Sequence, residues 1–211
     1  FPIPALSTPR VSPWNFPLVI PPGNFAGFIF DCDGTLIDSM PLHWHAWRVA
    51  LQQQNAPFDF TEEMHHAFAG QSIPETVAVC NSRYGCHIDP DRVEIARTEY
   101  FFSHLHDLRL VDPVVNFARA QFGKTPLAVA SGSDRNIVVR ELTHLGLIDL
   151  FPVVVTADDV ARSKPAPDLF LLAASQLGLK PESCLVFEDG HNGLRAAEAA
   201  GMPWVYVPTN E

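Results

Sequence analysis

Residues 25–39 read Phe25-Ala26-Gly27-Phe28-Ile29-Phe30-Asp31-Cys32-Asp33-Gly34-Thr35-Leu36-Ile37-Asp38-Ser39. The apolar run up to Phe30 has the length of a strand and no polar alternate residues. That pattern is expected of a strand covered on both faces, as in a parallel sheet. The run ends on two acids spaced two apart, and period-two geometry aims both side chains to one side. Gly34 then permits the sharp turn that carries the chain away. Sites in open α/β sheets form at the carboxyl ends of strands, where Asp31 and Asp33 would lie. Two carboxylates so close repel each other, and a hard divalent cation with oxygen ligands relieves that repulsion. On this stretch alone, two aspartates capping a turn is the competing reading.

Similar runs recur at Leu127-Ala128-Val129-Ala130, Val153-Val154-Val155, Cys184-Leu185-Val186-Phe187 and Trp204-Val205-Tyr206-Val207. Helical stretches with recognisable ends lie between them. Asp112-Pro113 predicts an N-cap followed by proline at the first helical position, with Gly123 closing that helix. A second helix is expected near Asp168 running to Gly178, and a third from about residue 191 to Gly201, each closed by its glycine. The alternation predicts an α/β fold, a doubly wound parallel sheet.

Residues 40–110 break this rhythm. They hold no convincing strand but several amphipathic helices, predicted at 41–54, 61–69, 74–84 and 90–105, the last again opened by an acid and a proline, Asp89-Pro90. The block is expected to be an all-helical cap domain inserted after the first strand, leaving 24–39 and 111–211 as the core. Residues 1–23 carry seven prolines and are expected to form an extended arm, either lying along the domain surface through Trp14 and Phe16 or disordered when alone.

Bulk properties exclude several classes. The 211 residues carry a formal net charge of −10 and only three lysines, Lys124, Lys164 and Lys180, so no basic stripe offers itself to nucleic acid. No apolar run approaches the ~18–20 residues that cross a bilayer, and the opening residues lack the basic segment and apolar core of a secretory signal. Cys32, Cys80, Cys86 and Cys184 fall at no zinc-ligand spacing and are expected to be reduced thiols in a cytoplasmic protein. Seven of nine histidines fall in the helical block. Pairs such as His65-His66 and His104/His106 lack i, i+4 spacing and are expected at the solvated surface.

Further chemistry gathers at the ends of the later strands. Ser131-Gly132-Ser133, Thr156-Ala157-Asp158-Asp159 and Glu188-Asp189-Gly190 each follow a strand, and Lys164 lies in Ser163-Lys164-Pro165 before a helix. A hydroxyl, an ammonium and a second acidic pair are thereby expected on one rim of the sheet.

Taken in order, Asp31-Cys32-Asp33-Gly34-Thr35, Ser131, Lys164-Pro165 and Glu188-Asp189 resemble the four motifs of haloacid dehalogenase superfamily phosphatases. The position of the helical block, His43-Trp44-His45-Ala46-Trp47, and Val186 through Gly193 are similar to the β-phosphoglucomutase-like branch, and within it to small sugar-phosphate phosphatases. The resemblance implies Asp31 as nucleophile and Asp33 as general acid and base. It implies Mg²⁺ held by Asp31, the carbonyl of Asp33, Glu188 and Asp189. Ser131 and Gly132 would hold phosphoryl oxygens, and Lys164 would balance charge. Thr35 and the cap positions His43, Gly70, Gln71 and Ser72 complete the set expected at the substrate, a small phosphorylated metabolite. Asp33 speaks for phosphate chemistry, because the dehalogenase members lack that acid. Ile73 stands where the mutases carry an arginine, which favours a phosphatase. A phosphomutase, and a non-catalytic binding protein of the same fold, are the other readings.

Overall fold

The computed structural model describes residues 14, 16–68 and 71–208. The chain divides into two compact units, one formed by the chain up to Asp38 together with that from Arg109 on, the other by Ser39–Leu108.

The first unit is built on five parallel strands: β1 (Gly27–Phe30), β4 (Leu127–Ala130), β5 (Val153–Val155), β6 (Cys184–Glu188) and β7 (Trp204–Tyr206). Their order is β5-β4-β1-β6-β7, so the chain winds outward to one side of β1 and then crosses to the other. Phe28 lies opposite Leu127 on one flank and Leu185 on the other. β1, β4 and β6 are buried throughout, which explains why their sequences show no polar alternation. Alternate residues of β1 feed different layers. Phe28 and Phe30 face Phe117, Phe151 and Phe187, with Phe30 stacked on Phe187 at 4.6 Å between ring centres. Ile29 faces Ala128, Val186, Leu169, Phe170 and Ala196. Each large side chain buried this way contributes about 1.5–3 kcal/mol. A further two-stranded antiparallel pair joins β2 (Ile37–Asp38) to β3 (Arg109–Leu110).

Four helices flank the sheet: α5 (Asp112–Gln121), α6 (Arg135–His144), α7 (Asp168–Gln176) and α8 (His191–Ala199). Gly123, Gly178 and Gly201 follow three of them at φ near +70°. Asp112 is not the N-cap of α5. That place belongs to Val111, whose carbonyl accepts from Val114 and Val115, and the Asp112 side chain makes no cap bond. The helix α6 was not anticipated, because no proline or glycine announces its start.

The second unit contains α1 (Met40–Gln53), α2 (Glu62–Ala67), α3 (Ile73–Tyr84) and α4 (Pro90–Ser103). Trp47, Phe60, Val77, Cys80 and Val93 belong to its core, and Asp89 caps α4 by accepting from the amides of Asp91 and Arg92. Its histidines do not all face solvent. His43, His45 and His65 are buried, His43 stacked on Phe101 and His65 edge-on to Phe60.

Residues 16–26 form neither helix nor strand; Trp14 is buried and meets Phe16 edge-to-face. The rest of the arm (residues 1–13 and 15) and Gly70 lie outside the described residues. No helix among the described residues is long and apolar enough to cross a membrane.

Candidate active site

Because the five strands are parallel, their carboxyl ends share one rim. Asp31 follows β1 and extends its ladder, its amide donating to the Phe187 carbonyl at 3.0 Å. Glu188 ends β6 and Asp189 follows it, Ser131 follows β4, and Lys164 lies between β5 and α7. The crevice beside β1 is the point where the winding reverses, the usual place for a ligand in such a sheet.

Asp31 and Glu188 are 5% and 4% exposed. The Lys164 ammonium donates to Asp31 Oδ1 at 2.5 Å and to Glu188 Oε2 at 3.4 Å, and lies 5.0 Å from the centre of the Phe170 ring. Burial alone would discharge this lysine, but Asp31 and Glu188 outweigh it and hold the pKa above the ordinary value. The carboxyls are pushed the other way. Burial raises Asp31, with Lys164 opposing and Asp33 adding. Burial and the charge of Asp31 raise Glu188 well above the usual range, and the same two causes push Asp189 to about 7. Thr35, expected at the substrate, spends its hydroxyl on Asp189 Oδ1 at 2.8 Å.

One oxygen from each of Asp31, Glu188 and Asp189 falls within 4.8 Å of the other two. Three carboxylates thus face one ammonium, an excess of negative charge in a buried place. This all-oxygen donor set, raised in pKa by burial and then by the neighbouring carboxylates, fits a hard divalent cation such as Mg²⁺.

Asp33 has a different setting. Its Oδ2 accepts from Ser133 Oγ at 2.7 Å and from Ser131 Oγ at 3.4 Å, while the Ser133 amide donates to Ser131 Oγ at 3.0 Å. Ser133 was missed in the sequence, although its two-residue spacing from Ser131 repeats that of the two aspartates. Glu141 on α6 was missed as well. It is fully buried, with the Cys32 thiol donating to Oε2 at 3.8 Å and no partner at Oε1. Burial, then the charge of Asp33, pushes its pKa well up. Gly132 is exposed on the rim between the two serines.

The remaining candidates belong to the helical unit. Ser72 is the N-cap of α3, and its hydroxyl and amide are both engaged with Glu75 in a reciprocal capping box. The Ser72-x-x-Glu75 spacing was a legible signal of this. Gln71 is exposed, its amide donating to the Phe68 carbonyl.

Residues 25–201 match the sequence profile of the haloacid dehalogenase-like hydrolases. The chain belongs to this family. Among its relatives, fructose-1-phosphate phosphatase YqaB of Escherichia coli is 38% identical over 184 residues, which cover 87% of this chain and 97% of the relative. The β-phosphoglucomutase of Bacillus subtilis is 27% identical over 182 residues, 82% and 79% of the two chains. The crystal structure of CbbY from Rhodobacter sphaeroides in complex with phosphate superposes with a TM-score of 0.76 at 26% identity, covering 87% and 86%. The haloacid dehalogenase-like fold is therefore carried by both sequence and architecture.

Proposed function

We propose that this hydrolase is a cytoplasmic, Mg²⁺-dependent phosphatase of small phosphorylated metabolites, preferably sugar phosphates, working through an aspartyl-phosphate on Asp31. The observation that carries the reading is the pairing of buried Asp31 with the Lys164 ammonium beside two further carboxylates. An ion-paired carboxylate on a rigid strand end is a fixed nucleophile. Support comes also from the fructose-1-phosphate phosphatase relative, more similar than the mutase.

In the first half-reaction an Asp31 oxygen attacks phosphorus in line with the ester bond, which breaks with its electron pair on the leaving oxygen. Asp33 gives that oxygen its proton. In the second, Asp33 takes a proton from water as the water oxygen attacks phosphorus, and inorganic phosphate leaves Asp31. Lys164 keeps Asp31 oriented and offsets charge throughout, while the Ser131 hydroxyl and the Gly132 amide bind phosphoryl oxygens. Mg²⁺ held by Asp31, Asp189, the Asp33 carbonyl and Glu188, the last directly or through water, would supply charge stabilisation to the phosphoryl group. Discrimination among sugars is assigned to the helical unit, with Gln71 and His43 as its probes.

The test is phosphate release from p-nitrophenyl phosphate and a panel of sugar phosphates, with and without Mg²⁺. Mg²⁺-dependent release without a bisphosphate activator is expected. Isomerised sugar phosphate with no free phosphate would make the enzyme a mutase, and inertness toward every substrate would leave a binding protein.

A further inference from the structure

Glu188 lies against the backbone of helix α8 as well as against Lys164. Its Oε2 faces the Lys164 ammonium, while its Oε1 lies over the first turn of α8, near Gly190 and Gly193. The space a side chain at Gly193 would need is already filled. A Cβ built there would overlap the Glu188 carboxylate oxygen, its carbon and the methylene before it. Gly193 itself is buried and helical, so no unusual backbone angle explains a glycine at this position. Glycine in a helix interior is ordinarily a liability relative to alanine. The same device recurs on the other acid of the pair: a Cβ at Gly34 would come 2.7 Å from the carboxylate carbon of Asp189. Gly34 also turns the chain at φ +85°, whereas Gly193 has no such second reason.

We infer that Gly193 is a positioning residue whose missing side chain forms the seat of the Glu188 carboxylate. It holds that carboxylate between Lys164 and the oxygens of Asp31 and Asp189. Any side chain at 193 displaces Glu188, because the helix backbone cannot yield as a flexible side chain would. The steric claim stands by itself; its consequence for Mg²⁺ rests on the function proposed above.

The experiment is a double-mutant cycle on the full chain, reading thermal midpoints in metal-free buffer and Mg²⁺ affinity by calorimetry. Gly193→Ala should lower the midpoint when Glu188 is present. In the Glu188→Ala background the same change should raise it, by about 2–4 °C, as alanine for glycine in an unobstructed helix does. Mg²⁺ alone, without substrate, should bind Gly193→Ala at least about tenfold more weakly than wild type, the scale of loss when a residue that positions a metal ligand is changed. If Gly193→Ala fails to fold, combining it with Glu188→Ala should restore folding. A midpoint raised equally in both backgrounds with unchanged Mg²⁺ affinity would overturn the inference, as would failure of Glu188→Ala to rescue a misfolded Gly193→Ala. A reversed sign in the stability cycle with no Mg²⁺ binding by the wild type would uphold the seat and refute the metal reading instead.

Discussion

Asp31 and Asp33 stand two residues apart on the same strand exit, yet the structure surrounds them differently. Asp31 is buried and locked to a charged partner, the Lys164 ammonium, which also holds Glu188. Asp33 is half-buried and held by two serine hydroxyls, neutral groups that can give or accept a hydrogen bond. Lys164 aims the Asp31 carboxylate and opposes the burial that favours its neutral form, which suits a nucleophile. Asp33 accepts from hydroxyls and lies beside the buried acid Glu141, a hydrogen-bonded setting that suits the proposed acid and base. The two settings match the two roles proposed above, nucleophile and acid–base.

The comparison breaks most visibly at Asp31. Asp31→Asn keeps the shape but not the nucleophile, and its turnover should fall on the order of 10⁶-fold, the scale seen when a covalent nucleophile is removed. Circular dichroism should show it folded, and turnover within tenfold of wild type would remove Asp31 from the chemistry. Asp33→Asn should cost alkyl phosphates ~10²–10⁴-fold, as loss of general acid–base help does. The penalty should shrink for aryl phosphates, whose leaving groups need little protonation. Equal losses on both substrate classes would place the acid elsewhere.

Lys164→Ala tests the charged half of the contrast by stability rather than rate. Removing one partner of a buried pair strands the other, here two carboxylates, and should cost about 3–5 kcal/mol in denaturant titrations without metal. A cost under 1 kcal/mol would mean that the pair is solvated in solution. The smallest effect is expected at Ser133. Ser133→Ala removes one hydrogen bond to a carboxylate and should slow alkyl phosphates by about tenfold. It should leave aryl phosphates and stability nearly unchanged, with Ser133→Thr restoring the rate; a uniform loss on both substrates would make Ser133 a phosphate ligand rather than a support for Asp33.

The strands of the sheet were legible because burial on both faces leaves an unmistakable apolar run, as in Phe28-Ile29-Phe30 and Leu185-Val186-Phe187. The rim residues were legible because parallel strands bring their ends together. What escaped was set by neighbours distant in sequence. Glu141 looks like any helix-surface acid until α6 packs it against Cys32, 109 residues earlier. Ser133 gains its meaning only through Asp33, 100 residues away. Gly193 looks like a poor helix residue until the Glu188 side chain is placed over it. Ser72 is the opposite case: its capping partner is three residues on, and the signal was present in the sequence.

The central claim, that Asp31 carries the phosphoryl group, is tested most directly by trapping it. Enzyme mixed with a sugar phosphate and Mg²⁺ would be quenched within a turnover, treated with borohydride, digested and analysed by mass spectrometry. Borohydride reduces an acyl phosphate to an alcohol and leaves a free carboxylate untouched. Reduction at Asp31 alone, dependent on substrate and absent from Asp31→Asn, is the predicted result. Product formed under the same conditions with Asp31 unreduced, or reduction at another acid, would contradict it.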